Sequence, residues 1–140
     1  MSAGKYSFVI EQGATMLFEI QYLDANSNPI DLDGYDAFMQ IRSGYSASAD
    51  TVTYLTLESL SDPDYANGFP SGSAFLSMSG SNLTTPLSSG SIGVYAGWEV
   101  TQGLTFTSSA YYDLEITSGS IRTRVLEGQV NLSQQVTQNP

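Results

Sequence analysis

The residue types best suited to metal chemistry in this 140-residue chain lie in the segment 24–36. Asp24, Asn26 and Asn28 place short oxygen-bearing side chains at alternate positions, as in the opening of a calcium-binding loop. More carboxylates follow at Asp31, Asp33 and Asp36. The match then fails, because Pro29 stands where such a loop requires glycine and Tyr35 stands where it requires a bidentate glutamate. We therefore interpret the segment as a solvated turn between two strands, and we predict no bound metal.

Paired carboxylates are the other arrangement that could do chemistry, since glycosidases use two acids across a sugar bond. Asp113 and Glu115 share one face of a predicted strand, and Asp62 and Asp64 flank a proline in a predicted loop. Neither pair has aromatic side chains arranged around it. A chain with 14 acidic residues forms close pairs by chance, so we predict that the protein is not an enzyme.

Two residue types are absent altogether, because the chain has no cysteine and no histidine. Their absence excludes a disulfide, a thiolate zinc site, an iron–sulfur cluster, a cysteine nucleophile, a Ser-His-Asp triad and a histidine-ligated metal. Several glycines occur close together, but their spacing matches no phosphate-binding loop and no lysine follows them. We predict no cofactor.

The charge balance bears on partners, because 4 basic against 14 acidic residues give a net charge of −10. Binding of nucleic acid requires clustered lysines and arginines, and so does binding of anionic membrane surfaces. No apolar run approaches the roughly 20 residues that span a bilayer. The amino terminus lacks the basic and apolar regions of a secretory signal, so we expect synthesis in a cytosol. Neither nucleic acid nor a membrane is expected as a partner.

Large aromatic residues in the stretch 92–106 form a candidate interface, made up of Tyr95, Trp98 and Phe106. Aromatic side chains often anchor protein–protein contacts. The same three rings could equally close one end of a small core. A third possibility is that Trp98 and nearby tyrosines form a stacking platform for host surface carbohydrate.

In the segments that must position these residues, apolar and polar side chains alternate with a period of two, which is typical of strands. No segment shows a sustained helical period, and we predict one all-β domain over residues 1–140. Ser118 and Gly119 predict a hairpin, and Gly128 is expected to separate its second strand from a last one. The predicted strands are 6–10, 16–22, 37–41, 52–57, 74–78, 92–95, 100–106, 112–116, 121–126 and 130–136.

The hairpin also predicts cross-strand ion pairs. Arg122 and Arg124 lie two residues apart in one strand and so project from the same face. Asp113 and Glu115 do the same in the preceding strand, and the turn brings the two rows opposite each other. We predict that these charges stabilise the hairpin.

Two segments resemble a group of small tailed-phage virion proteins. The first runs from Ile10-Glu-Gln-Gly-Ala-Thr15 through Asn28-Pro-Ile-Asp-Leu-Asp-Gly-Tyr35 to Met39-Gln-Ile-Arg42, and the second joins Tyr112-Asp-Leu-Glu-Ile-Thr-Ser-Gly119 to Thr123-Arg-Val-Leu-Glu-Gly-Gln-Val130. Together they cover about half of the chain. This group, frequent in cyanophages, is similar to the immunoglobulin-like amino-terminal domain of the baseplate upper protein of lactococcal phages.

The resemblance implies an immunoglobulin-like antiparallel β-sandwich of about seven to nine short strands. It also implies a virion structural protein, an assembly subunit of the tail or baseplate that contacts other virion proteins and copies of itself as a homo-oligomer in a symmetric assembly. A capsid decoration or neck protein is the alternative within this class. A carbohydrate-binding host-recognition module is the alternative outside it. The expected location is the virion, assembled in the host bacterial cytoplasm.

Overall fold

The computed structural model of the protein describes residues 4–44, 51–59, 74–80, 85–107 and 109–136. Within these ranges it contains nine strands, one α-helix and one 3-10 turn at Leu87–Ser89. The helix, α1, spans Trp98–Gln102. The strands are β1 Gly4–Lys5, β2 Phe8–Glu11, β3 Met16–Gln21, β4 Asp36–Arg42, β5 Thr53–Glu58, β6 Ala74–Ser77, β7 Ser91–Ala96, β8 Ala110–Ser118 and β9 Ile121–Ser133.

The strands form two sheets whose order is that of an immunoglobulin-like sandwich. One sheet has the order β5, β4, β8, β9, with β1 and β2 both paired to β9, and the other has the order β3, β7, β6. Each sheet thus combines strands from distant parts of the chain, and β4 and β5 lie beside the β8–β9 hairpin as in the variable-type immunoglobulin arrangement. The all-β immunoglobulin-like fold predicted from the sequence is confirmed.

The core lies between the two sheets, and the period of two decides which side chains enter it. In β4 the buried residues Ala37, Met39 and Ile41 alternate with exposed or half-buried ones. Register places Met39 opposite Leu114 of β8, another fully buried residue. The opposing sheet contributes fully buried apolar side chains at Leu76, Ile92 and Val94. Aliphatic packing thus fills the interior of a sandwich whose chain has no cysteine.

The amino-terminal strand differs from the prediction in direction and continuity. β1 and β2 run parallel to β9, whereas the other strand pairs are antiparallel. The predicted strand 6–10 is shorter than expected at its start, because Tyr6 and Ser7 lie in a break between β1 and β2. The Ser7 hydroxyl accepts a hydrogen bond from the Gln129 N–H at the break, so a side chain replaces a backbone partner there.

The prediction that Gly128 separates two strands was wrong, because β9 is one continuous strand from Ile121 to Ser133. A glycine removes a side chain but leaves the backbone N–H and C=O that form a ladder. Gly128 pairs with Tyr112 of β8, and the hairpin continues through it. Its small size serves a different purpose, because the Tyr6 backbone passes directly over it.

The predicted strand 100–106 was also wrong. The chain forms α1 there, and Leu104 and Phe106 are buried in the irregular segment that follows. Thr101 explains the helix, because its hydroxyl accepts from the Gly13 N–H at 3.1 Å and donates to the Ala14 carbonyl at 2.8 Å. These contacts with the β2–β3 turn are remote in sequence, and they override the local alternation.

Candidate functional site

The acidic loop directs its carboxylates to its own backbone. Asp24 Oδ1 accepts hydrogen bonds from the N–H groups of Asn26 and Asn28, each at 2.9 Å. Asp31 Oδ1 accepts from the Asp33 N–H in the same way at 3.0 Å. These are the bonds by which aspartate stabilises a turn. Within the described ranges no three potential ligands gather into a group that could hold a metal ion.

The cross-strand ion pairs predicted for the hairpin are confirmed. Arg124 Nε lies 3.4 Å from Asp113 Oδ2, and Arg122 Nε lies 3.7 Å from Glu115 Oε2. The pairs are diagonal, because the register of β8 against β9 shifts at Glu115 and places it opposite Arg124. Both carboxylates of this candidate catalytic pair are thus next to arginines. The other candidate pair, Asp62 and Asp64, lies outside the described residues.

The three candidate interface aromatics have different environments. Tyr95 is 7% exposed and Phe106 6%, whereas Trp98 is 41% exposed. The Tyr95 ring packs against Phe75 with 5.3 Å between ring centroids, and the Phe106 ring stacks on Tyr54 at 4.6 Å. Tyr95 and Phe106 therefore pack within the protein, and Trp98 is the one of the three whose ring a partner can reach. A role for these residues in an interface stays a prediction.

Burial of Tyr95 has a consequence at alkaline pH. Desolvation, followed by the negative charge of Glu99, raises the pKa of the Tyr95 hydroxyl above its ordinary value of 10.0. The unfolded chain then loses this proton at lower pH than the folded chain. We expect the Tyr95 contribution to stability to be constant below pH 10.0 and to decline as the pH rises through the folded-state pKa. Urea unfolding at a series of pH values from neutral to alkaline measures this decline in the free energy of unfolding. A Tyr95→Phe variant whose stability declines equally steeply would contradict the prediction.

A surface that the sequence analysis missed lies along the side of the sandwich where the edge strands β2 and β3 face each other. We call it the open-edge groove, with a volume of about 440 Å³. Tyr6 is 49% exposed here, Val9 57% and Leu17 45%. Its lining residues are Tyr6, Ser7, Phe8, Val9, Glu11, Thr15, Met16, Leu17 and Phe18.

Aromatic packing holds the floor of the open-edge groove. The rings of Phe8 and Phe18 lie 5.0 Å apart between centroids, and Tyr6 lies 6.1 Å from Phe18. Phe8 also makes an edge contact with Tyr112 of the core at 4.9 Å. These ring contacts link β2 and β8 of one sheet with β3 of the other. One feature of the sequence could have indicated this groove. Leu17 is apolar at a position of β3 where the alternation of the strand would place a polar residue.

The backbone of β3 is also accessible at this groove. β3 ends its sheet, with β7 on one side and no described strand on the other. Tyr22 N–H donates to Gly90 O at 2.7 Å, which makes the even-numbered residues the hydrogen-bonded partners of β7. The N–H and C=O of Leu17 therefore point away from β7, toward the free edge. Such an edge is a template for an added strand.

Thr101 connects this groove with Trp98. Its hydrogen bonds to Gly13 and Ala14 attach α1 to the turn that joins β2 and β3. Gln12 reinforces the attachment, because its side-chain N–H donates to the Leu104 carbonyl at 2.6 Å. The exposed Trp98 ring is therefore carried on a helix fixed to the end of the open-edge groove.

Among the described parts of the chain, no helix has the length and apolar character needed to cross a membrane.

Comparison with known proteins assigns the chain to no family. No family model matches the sequence, and no curated protein matches it. Among solved structures, a marsupial T cell receptor is similar with 11% sequence identity and a TM-score of 0.44, over 96% of this chain and 52% of the receptor chain. The chain thus spans about half the length of that receptor chain. The strand order of the two sheets, rather than this likeness, establishes that the protein is an immunoglobulin-like β-sandwich.

Proposed function

We propose that the protein is a structural subunit of a tailed-phage virion, part of the tail or baseplate, and that it acts through protein–protein contacts. The observation that supports an assembly role is the open-edge groove, where exposed apolar side chains lie beside an edge of β3 that pairs with none of the described strands. The resemblance of the two end segments to phage virion proteins supports the choice of particle. A capsid decoration or neck position is the alternative within the same class.

The contact we propose is strand addition, in which an extended segment of a neighbouring virion subunit pairs with the outer edge of β3. Main-chain hydrogen bonds supply affinity in this mode, and pockets for alternate side chains supply specificity. Leu17 and Val9 provide apolar contact on either side of the added strand. The net charge of −10 disfavours an acidic segment, so we expect the segment to be neutral or basic.

A lysine in place of Leu17 tests this proposal. Natural proteins protect sheet edges with lysine, because its charge opposes strand pairing. We expect Leu17→Lys to weaken binding to the partner virion protein, or self-association, by about tenfold or more, since a buried leucine contributes roughly 1.5–3 kcal/mol. Sedimentation of the protein alone, and with the structural proteins encoded beside it, measures the effect.

Ile121→Lys is the matched control, because Ile121 is 68% exposed at the tip of the hairpin, outside the open-edge groove. It should leave association unchanged. A wild-type protein that stays monomeric at high concentration and binds no particle component would overturn the proposal.

A carbohydrate-binding module is the second candidate, favoured by the exposed Trp98 ring. Aromatic rings in sugar sites stack on the apolar faces of sugars, so Trp98→Ala should abolish binding to host envelope polysaccharide if this candidate is correct. Absence of such binding in the wild-type protein would remove it.

A further inference from the structure

The one charge of β3 is turned away from the outer edge of the strand. Among the described strands β3 pairs with β7 alone, and the peptide groups of its odd-numbered residues point away from β7. Glu19 lies opposite Gly93 of β7, and its Oε1 lies 2.7 Å from the position that a Cβ atom would occupy at Gly80. Gly80 follows β6, which lies beyond β7 in the sheet, so the carboxylate extends across the sheet. The outer edge therefore lacks the charged side chains by which proteins prevent edge pairing.

An apolar row crosses the outer face of the smaller sheet and ends at this edge. Register aligns Phe75 of β6, Tyr95 of β7 and Leu17 of β3. The Phe75 and Tyr95 rings are buried and lie 5.3 Å apart between centroids, whereas Leu17 is 45% exposed. On the inner face, the apolar side chains of Met16 and Phe18 flank Leu17. A strand that continues both faces needs an apolar residue opposite Leu17 and apolar neighbours on either side of that residue.

The sequence of β3 itself meets this requirement. When two copies of β3 pair antiparallel with Leu17 opposite Leu17, Met16 of each copy lies opposite Phe18 of the other. Thr15 then lies opposite Glu19, so no carboxylate faces another. A register centred on Glu19 would place two carboxylates directly opposite each other, and like charges in that position are destabilising. A register centred on Phe18 would place Leu17 opposite Glu19. The Leu17-centred register is therefore the one that matches apolar with apolar residues and keeps the charges apart.

We propose that the outer edge of β3 binds the same edge of a second copy of this chain, about a twofold axis that passes between the two Leu17 residues. An antiparallel pair has such an axis, and a contact that uses the same surface on both copies closes as a dimer. The two three-stranded sheets then join into one continuous sheet. This inference rests on strand addition at β3, the proposed function, and identifies the added strand.

The net charge of −10 on each copy opposes this dimer. The contact itself is apolar, so salt should strengthen it by screening the repulsion between the two copies. In sedimentation of the wild-type protein, we expect the dissociation constant of the dimer to fall several-fold between low and high salt. Association that weakens as salt is added would indicate a contact between opposite charges, and it would overturn the proposal.

The register gives a sharper test, because the chain has no cysteine that would interfere with introduced ones. In the Leu17-centred register the two residues at position 17 lie side by side, with Cβ atoms about 5 Å apart, whereas those at position 21 lie about 27 Å apart. A short bismaleimide should therefore cross-link the Leu17→Cys variant faster than the Gln21→Cys variant, by about tenfold or more. Gln21→Cys is the matched control, because Gln21 lies on the same edge of the same strand.

A mixture of two further variants tests the register without changing Leu17. Thr15→Cys and Glu19→Cys should each cross-link poorly alone, because equivalent residues of the two copies lie about 14 Å apart. They should cross-link efficiently when mixed, since position 15 of one copy lies opposite position 19 of the other. Circular dichroism verifies that each variant is folded.

Two further results would overturn the inference. One is a wild-type protein that stays monomeric at millimolar concentration, and the other is equal cross-linking of Leu17→Cys and Gln21→Cys. If the monomer nevertheless binds a neighbouring virion protein, and Leu17→Lys weakens that binding, strand addition stands and the added strand belongs to another protein.

Discussion

Replacing Gly128 with alanine should lower the free energy of unfolding by about 3 kcal/mol, or about 10 °C in Tm. A Cβ atom at this position would lie 2.0 Å from the Tyr6 carbonyl oxygen and 2.7 Å from its carbon. Both are backbone atoms, so no side-chain rotation relieves the overlap. Thermal unfolding followed by circular dichroism measures the change.

Two hydrogen bonds hold the Tyr6 backbone in place, so moving it away from Gly128 costs free energy. Its N–H donates to the Glu127 carbonyl at 3.0 Å, and its own carbonyl accepts a hydrogen bond from the Tyr112 hydroxyl at 2.5 Å. Accommodating the methyl group would break one or both bonds and lift the amino-terminal strand from β9. Because Tyr6 and Phe8 form one wall of the open-edge groove, Gly128→Ala should also weaken the association proposed for that surface.

Gly4→Ala is the control for this variant. Gly4 also lies beside β9, but a Cβ there would meet its nearest atoms at 3.6 Å, an ordinary van der Waals contact. Its substitution should change Tm by no more than about 2 °C. Equal Tm values for Gly128→Ala and the wild type would show that the close approach of Tyr6 to β9 does not occur.

Gly90→Ala should have an effect of similar size, about 3–4 kcal/mol, for two reasons that add. Gly90 has φ of 68°, a left-handed conformation that costs a residue with a side chain roughly 1–2 kcal/mol. A Cβ would also lie 2.5 Å from the Tyr22 carbonyl oxygen and 3.0 Å from that of Ile30. Urea unfolding should show a lower midpoint with an unchanged slope.

Gly119→Ala separates the two contributions. Gly119 has φ of 61°, but no atom lies within 4 Å of the position its Cβ would occupy. It should therefore lose only the conformational part, about 1 kcal/mol. If the two variants were equally destabilised, backbone crowding at Gly90 would have no part in the effect.

Most of the strands could be predicted from the sequence because strand periodicity is local. A strand between a core and solvent must alternate apolar and polar residues, and β4 and β8 do so almost without exception. The ion pairs of the hairpin could be predicted for the same reason, since a tight turn at Gly119 determines which side chains face each other. The prediction of a strand over 100–106 was wrong, because Thr101 forms hydrogen bonds with a turn that is distant in sequence, and these bonds favour a helix despite the local alternation.

The candidate site could be predicted only in part. The sequence nominated three aromatic residues as an interface, and it contained no indication that Tyr95 and Phe106 would be buried while Trp98 stayed exposed. Burial depends on which elements cover a residue, and those elements come from distant parts of the chain. The open-edge groove escaped notice for the same reason, since β2 and β3 belong to different sheets.

The sequence by itself determined the all-β class, the inward face of the main strands, and the exclusion of every chemistry that needs cysteine or histidine. Each of these depends on residue type or on the spacing of near neighbours. Only the tertiary structure decided that the amino-terminal strand lies parallel to β9 and that, among the described strands, β3 pairs with β7 alone. Those outcomes depend on which distant segments become neighbours, and long-range packing and hydrogen bonding choose them.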